Sequence, residues 1–125
     1  MPLRQKKKQL LLNEVTMIEF EDFMKADIRA GEIIKAELFE SARKPAYKLW
    51  ADFGEEIGIK KSSAQLTENY TPESLTGRQI LGVVNFRPKQ IAGFMSEVLI
   101  LGIYSDQGVV LIEPEQRVKN GDKAG

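Results

Sequence analysis

The chain has one tryptophan, Trp50, in the stretch Tyr47-Lys48-Leu49-Trp50-Ala51-Asp52-Phe53. On a strand, that alternation sends Tyr47, Leu49, Ala51 and Phe53 one way and Lys48, Trp50 and Asp52 the other. With Leu49 and Ala51 turned to a core, Trp50 faces outward beside Lys48. An exposed indole offers a stacking surface for a base or a flat apolar contact for a peptide. A loop or a partner subunit can instead conceal it, and alternation leaves both readings open. Lys44, Lys48, Lys60, Lys61, Arg87 and Lys89 can gather into one basic patch around it, though lysines on strands are also commonly just solvated. Stacking on Trp50 with phosphates paired to these cations is ordinary single-strand chemistry. Ser62, Ser63, Gln65 and Asn85 add neutral donors and acceptors for a peptide backbone or a nucleotide edge. Ser62 and Ser63 can equally end a strand and bond locally. Phe94 and Met95 lie beside Gly93 in a loop, where apolar side chains can line a groove for varied peptides. Phe94 can also plug one end of a barrel.

The residues that are missing exclude several chemistries. Of 125 residues none is histidine or cysteine. That removes thiol nucleophiles, disulfides, zinc knuckles, Ser-His-Asp triads and the commonest general base. Ser96 and Glu97 stand together without a second carboxylate at a useful spacing. Glu97 reads better as a buried group bonded to backbone amides or to Arg87, since a lone buried charge is costly. No Gly-rich phosphate loop is present, so no ATP is expected; no other cofactor and no metal are expected either. The expectation is a non-enzymatic binding protein.

Charge is balanced, with 18 basic and 18 acidic side chains, but unevenly placed. Residues 1–15 carry Arg4, Lys6, Lys7 and Lys8 against Glu14, so the remainder is net acidic by three charges. Tight nonspecific binding to duplex nucleic acid needs a strongly basic domain, so any nucleic-acid role must rest on a local patch and on shape. Lys6-Lys7-Lys8-Gln9-Leu10-Leu11-Leu12 is too short in its apolar part for a signal peptide. Residues 1–17 read as an N-terminal extension, with a basic arm touching RNA or anionic lipid as the alternative, and 18–125 as one folded domain. No apolar run approaches the roughly 18 residues needed to span a bilayer, so no integral membrane insertion is expected. A cytoplasmic location fits the absence of cysteine.

The elements that must position these side chains follow from spacing. Thr16 and Glu19 have capping-box spacing ahead of a short helix over 19–25. Ile28 to Leu38 is a long strand in which Gly31 allows a bend or bulge. Residues 47–53 and 57–66 are the next two strands, with a tight turn at Gly54-Glu55-Glu56. Thr71 to Gly77 is a short helix with Thr71 as cap and Pro72 at its first position. Ile80 to Phe86 is a central strand, Arg87 to Glu97 a loop, and Val98–Tyr104 with Val109–Ile112 a hairpin, followed by a polar tail. Phe39, Phe53, Phe86 and Phe94 are of a type usually found in cores, although Phe39 shares the Arg29 side of its strand, which leaves exposure open. The fold class is all-β with short helices. A helix between the third and fourth strands fits a five-stranded OB barrel, with an SH3-like or other small barrel as the alternative from pattern alone.

Several segments resemble a known family. They are Asp27-Ile28-Arg29-Ala30-Gly31-Glu32-Ile33, Pro45-Ala46-Tyr47-Lys48-Leu49, Gly77-Arg78-Gln79-Ile80-Leu81-Gly82-Val83-Val84-Asn85-Phe86 and Pro88 to Leu101. In this order they resemble the tRNA-binding OB domain family. It includes stand-alone tRNA-binding proteins, C-terminal domains of some methionyl-tRNA synthetases and the CsaA export chaperones. Asp52 to Thr67 and Ile91 to Leu99 are most similar to the CsaA branch. Relatives dedicated to tRNA commonly carry Gly-Met after the Ser-Glu pair, where this chain has Val98-Leu99. The resemblance implies a homodimer that binds unfolded or precursor polypeptides, with the export machinery as a further partner and tRNA as the alternative ligand. It directs attention to Lys48, Trp50, Lys60, Ser62, Gln65, Asn85, Arg87, Lys89 and Phe94 as the binding face. Phe20 and Met24 are the candidates for the dimer contact.

Overall fold

A computed structural model describes residues 17–125. The readings placed on the extension and on Thr16 lie outside the described residues. The elements are α1 (Phe20–Met24), β1 (Ile28–Leu38), β2 (Tyr47–Asp52), α2 (Gly54–Ile57), β3 (Ile59–Ala64), α3 (Pro72–Leu75), β4 (Gln79–Val83), β5 (Lys89–Ile91), β6 (Phe94–Ser96), β7 (Leu99–Ile100), β8 (Gly102–Ser105), β9 (Gly108–Leu111) and β10 (Lys123–Ala124). The main sheet runs β3-β2-β1-β4-β7, with β10 on the start of β1. All its pairings are antiparallel.

The sheet curls into a nearly closed barrel of the OB type. One short seam joins β3 to the segment after β6. Glu97 donates its amide to the Lys61 carbonyl (2.8 Å), its carboxylate accepts from the Lys61 amide (3.0 Å), and the Ser62 hydroxyl donates to the Val98 carbonyl (2.9 Å). Glu97 is thus half-buried and paired with a backbone amide. The core holds Ile33, Leu49, Phe53, Leu75 and Ile80, all fully buried. Leu75 hangs from α3, which begins as expected: the Thr71 side chain accepts from the Ser74 amide at 3.1 Å.

Glycine matters where Phe53 meets the sheet. A methyl group on Gly31 would come within 2.6 Å of the Phe53 ring, and one on Gly82 within 2.9 Å. Gly31 therefore serves close approach rather than a bulge. The register shift of β1 falls between Ile33 and Lys35. It reverses the facing of everything beyond, so that Lys35 lies opposite Trp50 on the outer face.

Other boundaries also differ from the sequence reading. The turn after β2 is a helical turn, which shortens the third strand to 59–64. The fourth strand ends at Val83, leaving Phe86 outside and 57% exposed rather than in the core. The expected loop at 87–97 contains the hairpin β5–β6. The strand after Val98 breaks at Leu101 into β7 and β8. Apolarity alone cannot see such breaks.

The polar tail is a strap. The Gln79 side chain, buried, donates to the Val118 carbonyl (2.7 Å) and accepts from its amide (3.0 Å). Arg29 forks onto Asp27 at 2.6 and 3.3 Å and donates to the Gly121 carbonyl at 3.0 Å. The hydrogen bond from Arg29 holds the Asp27 carboxyl below its ordinary value, against the opposing effect of burial.

Candidate functional site

The outer face of β1, β2 and β3 carries a second, smaller apolar cluster. Cross-strand pairing sets Lys35 opposite Trp50 and Trp50 opposite Lys61, with Glu37, Lys48 and Ser63 in the next row. The chain continues past β1 with the Phe39 amide donating to the Ala46 carbonyl (2.9 Å). That bond keeps Phe39 in line with Lys35 and Glu37. The β5–β6 hairpin then lies over this wall. Its turn, Ala92-Gly93, has φ of 45° and 83°, the two successive left-handed residues that tight hairpins favour.

Phe94 hangs from the hairpin into the wall. Its ring meets Phe39 at 5.5 Å and Trp50 at 5.7 Å between centroids, edge-to-face in both cases. Phe39 and Phe94 are buried, and Trp50 is half-buried. Ala42, Ala46 and Ile91 complete the cluster. Three ammonium groups sit above it. Lys35 lies 4.6 Å from the Trp50 ring centre, Lys48 lies 5.0 Å from Phe39 and 5.3 Å from Phe94, and Lys61 lies 5.4 Å from Phe94. Cations at that range are attracted to the ring faces. Beside the hairpin tip runs a groove lined by Ala42, Arg43, Lys44, Ser63, Gln65 and Ala92.

Of the residues singled out from the sequence, the structure brings together Lys48, Trp50 and Phe94, with Gln65 in the adjoining groove. Arg87 and Lys89 are exposed, before and at the start of the hairpin. Lys60 pairs with Ala51 on the opposite side of β3 from Trp50. Ser62 points inward and is spent on the seam. Asn85 lies at the junction of α1 and β1, where its side-chain amide donates to the Lys25 carbonyl (2.7 Å) and its oxygen accepts from the Asp27 amide (2.9 Å). Phe20 and Met24 are 72% and 40% exposed on α1. Lys35 and Phe39 are the members of the wall that sequence reasoning missed. The bulge hid Lys35, and Phe39 is buried with the help of Phe94 from the hairpin and of Ala42, Ala46 and Trp50. Lys61 stands where Lys60 was favoured; its signal was the pairing across the β2–β3 turn, which a longer third strand obscured.

Comparison with known proteins agrees with this architecture. The family described as "Putative tRNA binding domain" matches residues 28–123. The chain belongs to the tRNA-binding domain family. Methionine–tRNA ligase of Archaeoglobus fulgidus is 36% identical over 106 residues, which cover 85% of this chain and 16% of that protein. The chain thus spans about a sixth of the length of such a relative. Two solved structures match this tRNA-binding-type domain over nearly their whole length. The CsaA chaperone protein of Picrophilus torridus is 50% identical with a TM-score of 0.84, covering 87% of this chain and 100% of that one. The chaperone CsaA of Bacillus anthracis is 51% identical with a TM-score of 0.81, covering 87% and 99%.

Proposed function

We propose that the protein is a non-enzymatic, CsaA-like chaperone that holds unfolded or precursor polypeptides in the cytoplasm on the wall formed by Phe39 and Trp50, over which Phe94 lies. The observation that carries this reading is the apolar aromatic cluster outside the barrel core, open at one side to a groove of mixed polarity. Such a surface suits side chains of varied shape, and loose contacts release quickly, as hand-over to export machinery requires. Half-identity to chaperone structures across their full length supports it. Two copies meet through α1. Phe20 and Met24 stand exposed with Met17, Ile18 and Phe23, and Phe86 follows directly on Asn85, which is tied to the end of that helix. A dimer offers two weak sites to one extended chain and gains affinity by linkage.

A second reading has its own observation. Lys35, Lys48 and Lys61 sit over different rings of the one cluster, which suits bases stacked beside phosphates, so the wall is also the place for tRNA. Salt separates the two. A tRNA complex weakens steeply from low to physiological salt through counterion release, whereas an apolar polypeptide complex holds or strengthens. Reduced, carboxymethylated lactalbumin and bulk tRNA, each titrated at two salt levels, give the comparison. Trp50→Ala abolishes binding of whichever ligand uses the wall; unchanged binding of both would remove the wall from the proposal. Light scattering at the mass of one chain would overturn the dimer.

A further inference from the structure

Resting on the polypeptide-binding reading, we infer that Phe94 is a built-in stand-in for the ligand: an aromatic side chain of the bound polypeptide takes the place of the Phe94 ring between Phe39 and Trp50, and the β5–β6 hairpin swings away as a flap. The slot is already shaped for a benzene ring, because one occupies it with edge-to-face contacts on two sides. Its other neighbours, Ala42, Ala46 and Ile91, are hydrocarbon. The ammonium groups of Lys48 and Lys61 above it are donors only. A nucleobase there would bury amino groups with no acceptor to receive them, at a cost a phenyl ring escapes. The slot therefore favours phenylalanine of a polypeptide over a base.

The hairpin is attached as a flap should be. Its ladder has three residue pairs and is not hydrogen-bonded into the six-stranded sheet. Among the described residues, its polar ties to the barrel lie at one end only. There the Ser96 hydroxyl accepts from the Ser63 amide at 3.3 Å, and Glu97 follows with its bonds to Lys61. Toward the tip, what holds it down is the packing of Phe94 and Ile91. Exchanging one aromatic ring for another replaces those contacts like for like. The groove beside the tip leaves room for the main chain that carries the incoming ring. In the free protein the flap competes with ligand, so apparent affinity is lowered by the fraction of molecules in which the slot is open.

Two measurements test this. Removing the competitor with Phe94→Ala tightens binding of reduced, carboxymethylated lactalbumin by about three- to tenfold, and a free peptide containing one phenylalanine competes while its alanine counterpart does not. In the unaltered protein, saturating lactalbumin speeds amide exchange across residues 89–96, where a simple contact surface would slow it. If Phe94→Ala weakens lactalbumin binding, or exchange in the hairpin slows, the flap is overturned while the wall stands, provided Trp50→Ala abolishes binding. If Trp50→Ala has no effect, the underlying reading fails instead. A gain for tRNA alone in Phe94→Ala overturns the choice of polypeptide. The exchange measurement decides the matter even if the substitution unfolds the protein.

Discussion

Two phenylalanines of similar burial sit in the barrel's interior and on its outer wall, and they differ in what carries them. Phe53 is fully buried, against the backbone of Gly31 and Gly82, which belong to adjacent strands of the main sheet. Phe94 is 8% exposed but hangs from a hairpin with its own separate ladder. Burial measures how little water reaches a ring. Permanence depends on how many backbone bonds must break to let it out. The interior is fixed by the sheet, and Phe94 is held on the wall mainly by side chains.

The contrast is broken most directly by truncating both rings. Phe53→Ala costs about 3–5 kcal/mol in chemical denaturation, the range for a large core cavity that cannot collapse. Phe94→Ala costs about 1–2 kcal/mol, an ordinary single-substitution loss, because the hairpin can settle or lift. Equal losses would erase the distinction. Next in size, Gly31→Ala forces a methyl group onto a ring with nowhere to move and destabilises by about 1–3 kcal/mol, leaving Trp50 emission unchanged at temperatures where the protein stays folded. Acid sharpens the same division from the other side. The folded pKa of Asp27 is depressed, so its stabilisation is present above the unfolded value near ~3.9 and lost as pH falls through the folded value. Asp27→Asn flattens the acid limb of a stability-against-pH curve, and the wall's fluorescence does not report the transition until the whole barrel opens. The smallest effect belongs to the wall's charges. Lys48→Gln leaves stability nearly untouched and lowers the salt slope of tRNA binding by about 1.

The barrel was legible because its signals are local. Alternation over 47–53 placed Leu49, Ala51 and Phe53 inside, and Thr71-Pro72 marked α3. The family resemblance supplied the topology that alternation left open between OB and other small barrels. The wall was only half legible. Trp50 and Lys48 follow from alternation within one strand. Lys35 does not, because one extra residue in β1 reverses facing without any glycine or proline to announce it. Phe39 and Phe94 bury each other across 55 residues of chain through a hairpin that reads as a loop, since Lys89-Gln90-Ile91 and Phe94-Met95-Ser96 are each too short for periodicity to register. Ser62 and Asn85 show the reverse case. Their polar side chains suggested recognition, and each also joins distant backbone segments, a role that depends on tertiary neighbours and leaves no trace in spacing.

The seam between Lys61 and Glu97 has a mechanical consequence. One residue pair supplies both a main-chain and a side-chain bond there, and the same Glu97 terminates the hairpin. Any pull that peels the hairpin outward is thus delivered as tension to the fastener that shuts the cylinder. The closure of the cylinder and the anchoring of the hairpin therefore depend on the same few bonds at Lys61 and Glu97.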